Sequence, residues 1–387
     1  MTDLILKGGR LIDPASARDE PADIAFGDGK VVGIGRDLAG DDAEIIDARG
    51  LLVVPGLIDL HTHVYWGGTS LGVDAVEVAW RSGTTTFVDA GSAGPGNFHG
   101  FRHHVIEPSP LRIIPFLNIS FPGIFAFGPS VMVGECADLR LLDARECVRV
   151  INANRELIVG VKVRVGRNAG GASGVAPLDI ALEVAEETGL LVMAHLDNPP
   201  PSRLEVLSRL RRGDILTHCF RPFPNAPVEG NGQIREEVHE ARRRGVVFDI
   251  GHGSGSFGFR TAEAMLAAGF LPDVISSDVH SLSINGPAFN QLVTMSKFVC
   301  LGMGLVEVVR ASTNAPAVAL GRTDIGRLAI GAVGDATVLE LAEGEFEYRD
   351  ALGEVRSGRW QLKARGLVVA ARWWHPPRTA PRQEMSP

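Results

Sequence analysis

Cysteine is scarce in this chain and carries no pattern. Cys136, Cys147, Cys219 and Cys300 form no C-x-x-C pair and no disulfide framework, which suits a reducing compartment. Positive charge is outweighed. The 38 Lys and Arg stand against 46 Asp and Glu, a net charge of -8. Nucleic acid is therefore not expected as a partner, because phosphate binding needs a clustered basic surface. The basic runs at Arg211-Arg212 and Arg242 to Arg244 sit near the ends of helix-like stretches, where cations complement the helix dipole. No apolar run approaches the length of a membrane-spanning helix. The opening MTDLILKGGRLIDP lacks a charged segment followed by a continuous apolar one, so no signal peptide is read. The expected location is the cytoplasm, with no membrane partner. No internal repeat is visible, and the glycine-rich GHGSGSFG lacks both the GK[ST] ending and the G-x-G-x-x-G spacing of a phosphate loop.

What is present is an ordinary globular composition, 45% hydrophobic and 22% charged. At 387 residues the chain exceeds the usual size of a single core, so one large domain with a smaller one is expected. Both ends read as short strands broken by turns, with Asp28-Gly29 between alternating apolar runs as a hairpin signal. The middle alternates strand and helix. Its strand candidates are LLVVPGLI (51–58), TTTFV (84–88), LRIIPFLN (111–118), LIVGVKVRV (157–165), LLVMA (190–194), DILT (214–217), VVFDI (246–250) and DVISS (273–277). Between the fourth and fifth, Leu178, Ala181, Leu182 and Ala185 form a helical stripe, with Pro177 placed for a first turn and Gly189 for a C-terminal cap. Eight such strands predict a (β/α)₈ TIM barrel over 54–320. Residues 1–53 and 321–374 are expected to form a composite small β-sandwich domain. The Pro-rich tail 375–387 is expected to be disordered. A doubly wound open sheet is disfavoured, because polar residues recur after many strands and not at one switch point.

In a barrel of this kind the C-terminal strand ends line the active site. The first is followed by Asp59-Leu60-His61-Thr62-His63, where residues two apart face the same side and can meet one metal. The fourth carries Lys162, the fifth ends in His195, the sixth in His218 and the eighth in Asp278. A lysine inside an apolar strand must be neutralised, paired or chemically changed, because an unpaired buried ammonium is costly. Arg164, two residues after Lys162, is expected to face the mouth. There it either clamps a substrate carboxylate or forms a structural ion pair with Asp89. His252 in DIGHGSG is placed to polarise a substrate carbonyl, to protonate a leaving group, or to make a supporting hydrogen bond. Cys219, next to His218, is expected to point away from the site.

The segments VPGLIDLHTHV, TTFVDAGSAGPGNFHGFRHHVIEPS, GVKVR, HLDNPPP, LTHCF, FDIGHGSGSF, SSDVHSLS and GDATVLEL resemble the amidohydrolase superfamily, and within it a metallo-deacetylase subgroup often labelled dihydroorotase-like. STNAPAVALG departs from the TxNPA-like turn common in related proteins, in a segment expected to close the barrel. The resemblance implies two divalent ions per chain, usually zinc. His61 and His63 would hold the more buried ion, and His195 and His218 the more exposed one. A carbamylated Lys162 would bridge both. Asp278 would bind the buried ion and act as general base and acid. Two such ions ~3.5–4 Å apart can share a hydroxide that attacks a polarised carbonyl, while an aspartate relays its proton. The expected activity is cleavage of an acyl, acetyl-type amide or ester of a small carboxylate-bearing molecule by an enzyme assembled as a homo-oligomer. The alternatives are a cyclic amide hydrolase of the dihydroorotase kind and, disfavoured by the intact ligand set, a catalytically inactive scaffold.

Overall fold

Two sheets organise this computed structural model, which describes residues 2–375. The tail expected to be disordered lies outside the described residues, apart from His375. The first sheet has eight strands. Its order runs Arg372–Trp373, Val355–Val369, Ala336–Arg349, Leu52–Pro55, Leu4–Asp13, Arg18–Gly27 and Lys30–Gly35, and Glu44–Asp47 also pairs with Leu4–Asp13. Both ends of the chain therefore share one sheet. The strands expected as a sandwich are connected edge to edge, and Leu6, Ile24, Val53, Val338 and Val368 form an apolar cluster of their own upon them. The hairpin read at Asp28-Gly29 is present: Gly27 pairs with Lys30, and the two turn residues have φ of 50° and 74°. Left-handed conformations at both positions give a turn whose twist matches that of the strands.

The second sheet has seven parallel strands in chain order: Leu57–Thr62, Thr84–Ala90, Arg112–Asn118, Gly160–Val165, Leu191–Leu196, Ile215–Leu216 and Val247–Phe248. The eighth candidate, 273–277, forms no ladder of its own. Isolated parallel bridges instead join its segment to both sheet edges, Asp249 to Val274 and Thr62 to Val279. Asp59 fastens it further. This buried carboxylate accepts from Ser277 N at 2.8 Å and Ser277 Oγ at 2.5 Å. Burial raises the Asp59 carboxyl to about 7, against the lowering effect of those two bonds. The predicted helix spans Ala176–Thr188, with Pro177 in its first turn, and is capped by Gly189, whose φ is 68°. Beneath the strand ends an apolar layer of Leu60, Phe116, Met193, Ile215 and Val274 packs with Ala317 and Leu320, which gives STNAPAVALG its expected place.

One expectation is corrected. LLVVPGLI is two strands, Leu52–Pro55 in the first sheet and Leu57–Thr62 in the second. Gly56 is the crossing point. A Cβ there would collide with Thr85 Oγ1 and stand 2.8 Å from the Asp335 Cβ, so an unbroken apolar run hides a change of sheet that only a missing side chain permits. Gly56→Val should lower the urea midpoint by the equivalent of about 1–3 kcal/mol, the usual cost of overpacking. Gly230→Val, at an exposed position where a Cβ meets nothing within 4 Å, should shift it by less than about 0.5 kcal/mol.

Candidate metal centre

All parallel strands point their C-terminal ends one way, and the predicted ligands gather there. Asp278 Oδ1 lies 3.4 Å from His61 Nε2 and 3.3 Å from His63 Nε2. Ligand atoms of His61, His218 and Asp278 lie within 4.8 Å of one another. The rings of His195 and His218 are 4.5 Å apart, and Lys162 Nζ is 3.4 Å from His61 Nε2. The cluster therefore contains His61, His63, Lys162, His195, His218 and Asp278 together. His218 and Asp278 have φ of 60° and 49°, a left-handed conformation that costs such residues about 1–3 kcal/mol each. The surrounding hydrogen bonds hold them there, among them Asp278 N to His61 O at 2.7 Å.

The hydrogen bonds behind the imidazoles decide what they present. Thr217 Oγ1 donates to Asp249 Oδ2 at 2.7 Å and so accepts from His61 Nδ1, also at 2.7 Å. Ser92 Oγ donates to Asp89 Oδ2 at 2.8 Å and accepts from His63 Nδ1 at 2.9 Å. His218 Nδ1 donates to Gly251 O at 2.6 Å. Each Nδ1 thus carries its proton outward, and three bare Nε2 lone pairs face inward. Burial pushes His61, His195 and His218 well below the usual imidazole range and His63 down to about 3. Burial lifts Asp278 to about 6 and lowers Lys162 to about 7. Bare nitrogens and a carboxylate are the donor set that divalent transition ions take, so these residues fit such a metal. A lysine ammonium has no lone pair to offer, so Lys162 fits only in a changed form.

The cluster floors a cavity of about 480 Å³. Arg164 lines it, as expected, and it makes a structural ion pair, with Glu135 and not with Asp89. Its Nη1 donates to Glu135 Oε2 at 3.1 Å, and its guanidinium lies 4.8 Å from the Phe127 ring centre. Asp89 is engaged with Ser92 and the Val64 amide instead. His252 is the larger correction. It is fully buried outside the cavity lining, stacked on Phe257, with its Nε2 2.7 Å from Lys297 Nζ. That lysine also donates to Pro287 O and Arg349 O at 2.8 Å. The wall behind His252 is formed by Ser254, Gly255 and Ser256. Cys219 is buried and does not line the cavity, as expected.

Several cavity residues were not read from the sequence. Arg221 and His280 line the cavity while largely buried, and Asp197 Oδ2 lies 3.4 Å from His195 Nε2 without forming a hydrogen bond to it. His280 stands two residues after Asp278, so alternation could have nominated it, whereas Thr217 is next to His218 and alternation turns it to the other side. Ser92 and Glu135 lie in loops with no periodic signal.

Comparisons with known proteins agree with this geometry. The sequence profile of the amidohydrolase family matches residues 44–91. A deacetylase of Brucella anthropi is 36% identical over 355 residues, which is 91% of this chain and 88% of that protein. The chain belongs to the amidohydrolase family. Like that family it is a hydrolase of C–N bonds and depends on metal. A solved structure described as a dihydroorotase superposes on this amidohydrolase with a TM-score of 0.89 at 34% identity, over 97% of this chain and 99% of the other. One described as an adenine deaminase gives 0.90 at 29% identity, over 97% and 100%. No helix among the described residues is long and apolar enough to cross a membrane.

Thr217→Val should leave the helical and strand content intact while weakening metal retention 10- to 100-fold, the usual effect of removing a ligand's hydrogen-bond partner. Chelator competition monitored by elemental analysis measures it.

Proposed function

We propose that this amidohydrolase removes an acyl, acetyl-type group from the nitrogen or oxygen of a small carboxylate-bearing molecule. The observation that carries the reading is the inward-facing set of bare His61, His63 and His218 nitrogens beside Asp278, on the floor of a cavity that Arg164 and Arg221 also line. Its name for the Brucella anthropi relative, deacetylase, supports it. A second reading, hydrolysis of a cyclic amide, is favoured by the description of one structural neighbour as a dihydroorotase. We further infer a complete (β/α)₈ barrel over 54–320, with 273–279 as its eighth stave and the two chain ends as a separate small domain.

In this reading His61, His63 and Asp278 would hold one divalent ion, and His195 and His218 a second, both zinc. Lys162, carbamylated on Nζ, would be their shared ligand, and the change would turn a buried cation into an anion. Such ions supply Lewis acidity toward a carbonyl and lower the pKa of water. Asp278 takes the proton of the attacking water and delivers it to the leaving group. Arg164, oriented by Glu135 and Phe127, faces the substrate carboxylate with its remaining donors.

Elemental analysis of enzyme grown with added zinc should find close to two divalent ions per chain. Lys162→Ala should lose metal and nearly all turnover. A value near zero in active wild-type enzyme refutes the binuclear centre. On a panel of N- and O-acetylated amino and hydroxy acids beside cyclic amides, the wild type should prefer the acetylated acids. Arg164→Met should lower kcat/KM on carboxylates about ten- to hundredfold, the scale of a lost charge-assisted bond, and spare their neutral amides. Preference for the cyclic amides selects the second reading, and an equal loss on both acyl classes removes the carboxylate contact.

A further inference from the structure

His252, the imidazole that loop position suggests for the substrate, is turned away and held by Lys297. Another imidazole occupies the place that role needs. His280 follows Asp278 by two residues, lines the same cavity, and has its ring 6.1 Å from that of His63 and 5.9 Å from that of Phe127. Its position is held by the turn it begins. His280 N donates to Ser283 Oγ at 3.0 Å, and Ser283 Oγ donates to Asp278 O at 2.9 Å.

The decisive contact is on the ring. Leu282 N donates to His280 Nδ1 at 3.1 Å. A nitrogen that accepts from a backbone amide carries no proton, so the neutral ring must hold its proton on Nε2. This is the opposite tautomer from His61, His63 and His218, whose Nδ1 atoms carry the proton. Among the described residues His280 Nε2 has no hydrogen-bond partner. The cavity therefore contains imidazoles of two kinds. Three present lone pairs, and one, only two residues from Asp278, presents an N–H. An N–H cannot be a metal ligand, so His280 stands outside the ligand set by its own hydrogen bonding. A fixed neutral donor in the cavity lining is a group that stabilises a developing negative oxygen.

We propose that His280 is a further catalytic residue, a tautomer-locked Nε2–H donor to the carbonyl oxygen of the scissile acyl group. As the carbonyl carbon is attacked and the C=O π pair moves onto oxygen, that oxygen becomes a stronger acceptor, and the bond from Nε2–H strengthens without transfer of the proton. When the tetrahedral centre collapses and the leaving group departs with the proton from Asp278, the bond relaxes. The inference rests on the acyl-hydrolase reading above, and its test includes a measurement that does not.

The experiment uses metal-loaded enzyme and the best substrate of the panel. His280→Phe should lower kcat at least about tenfold, with KM within about threefold and metal content unchanged. His280→Gln, which retains an N–H donor on a side chain of similar reach, should recover part of the loss. In ¹⁵N-histidine spectra of the wild type, His280 should show the Nε2–H tautomer, and its Nε2 signal should shift on addition of acetate as a probe. A kcat within twofold of wild type in His280→Phe, a loss confined to KM, a Gln variant no better than Phe, or an Nδ1–H tautomer for His280 overturns the assignment. Failure of the wild type on every acyl substrate would instead overturn the acyl-hydrolase reading, and leave the tautomer measurement to stand or fall by itself.

Discussion

The site depends on where four imidazole protons are placed. A histidine ring has one proton and two nitrogens, and whichever nitrogen is satisfied from behind determines what the other offers in front. Here the backing groups are Thr217 relayed to Asp249, Ser92 relayed to Asp89, the Gly251 carbonyl, and, with opposite polarity, the Leu282 amide. Three acceptors and one donor thus divide one cluster of similar rings into those that present electron pairs and one that presents a proton. Neither sequence spacing nor ring position distinguishes the two kinds.

The backing groups also explain why the scaffold is built as it is. Asp89 sits within the second parallel strand, and Asp249 just beyond the seventh, bridged to Val274. Each buries a carboxylate whose oxygens are filled, in Asp89 by the Ser92 hydroxyl and the Ser92 and Val64 amides and in Asp249 by the Thr217 and Ser276 hydroxyls, as buried charge requires. Gly251 has no side chain because a Cβ would collide with Thr217 Oγ1 and stand 2.9 Å from His61 Nδ1. Glycine at 253 likewise leaves room for Asp278 Oδ2. The polar layer rests on the apolar one formed by Phe116, Met193 and Ile215, which leaves the ligands little freedom to retreat from one another.

Much of this was legible before any coordinates. Runs of apolar residues at regular spacing gave the parallel strands, and a polar residue ending each gave the six clustered side chains. The missed parts share a physical cause. The split of LLVVPGLI at Gly56 left no mark because both strands are buried, and buried strands carry no alternation. His252 was misplaced because a turn of left-handed glycines, with φ of 46° at Gly251 and 55° at Gly253, turns its ring away from the cavity that its place after the seventh strand suggests. The partner of Arg164 was missed because Glu135 lies 29 residues away in a loop. Local pattern reports which side of a strand a residue takes, and it does not report what a loop brings back to meet it.

Lys297 ties the loop behind the cavity to the first sheet. Its three acceptors belong to the turn at His252, the loop at Pro287 and the tip of the hairpin built from Ala336–Arg349 and Val355–Val369. The same tip lends the Asp350 carboxylate to the Phe259 amide and receives the Phe257 carbonyl at the Ala351 amide. One wall of the cavity is thus fastened by residues that follow the whole polar cluster in the chain. His61, His63, Lys162, His195, His218 and Asp278 can all be present while the clasp behind the seventh loop is still missing, so the cluster and its wall are separable parts.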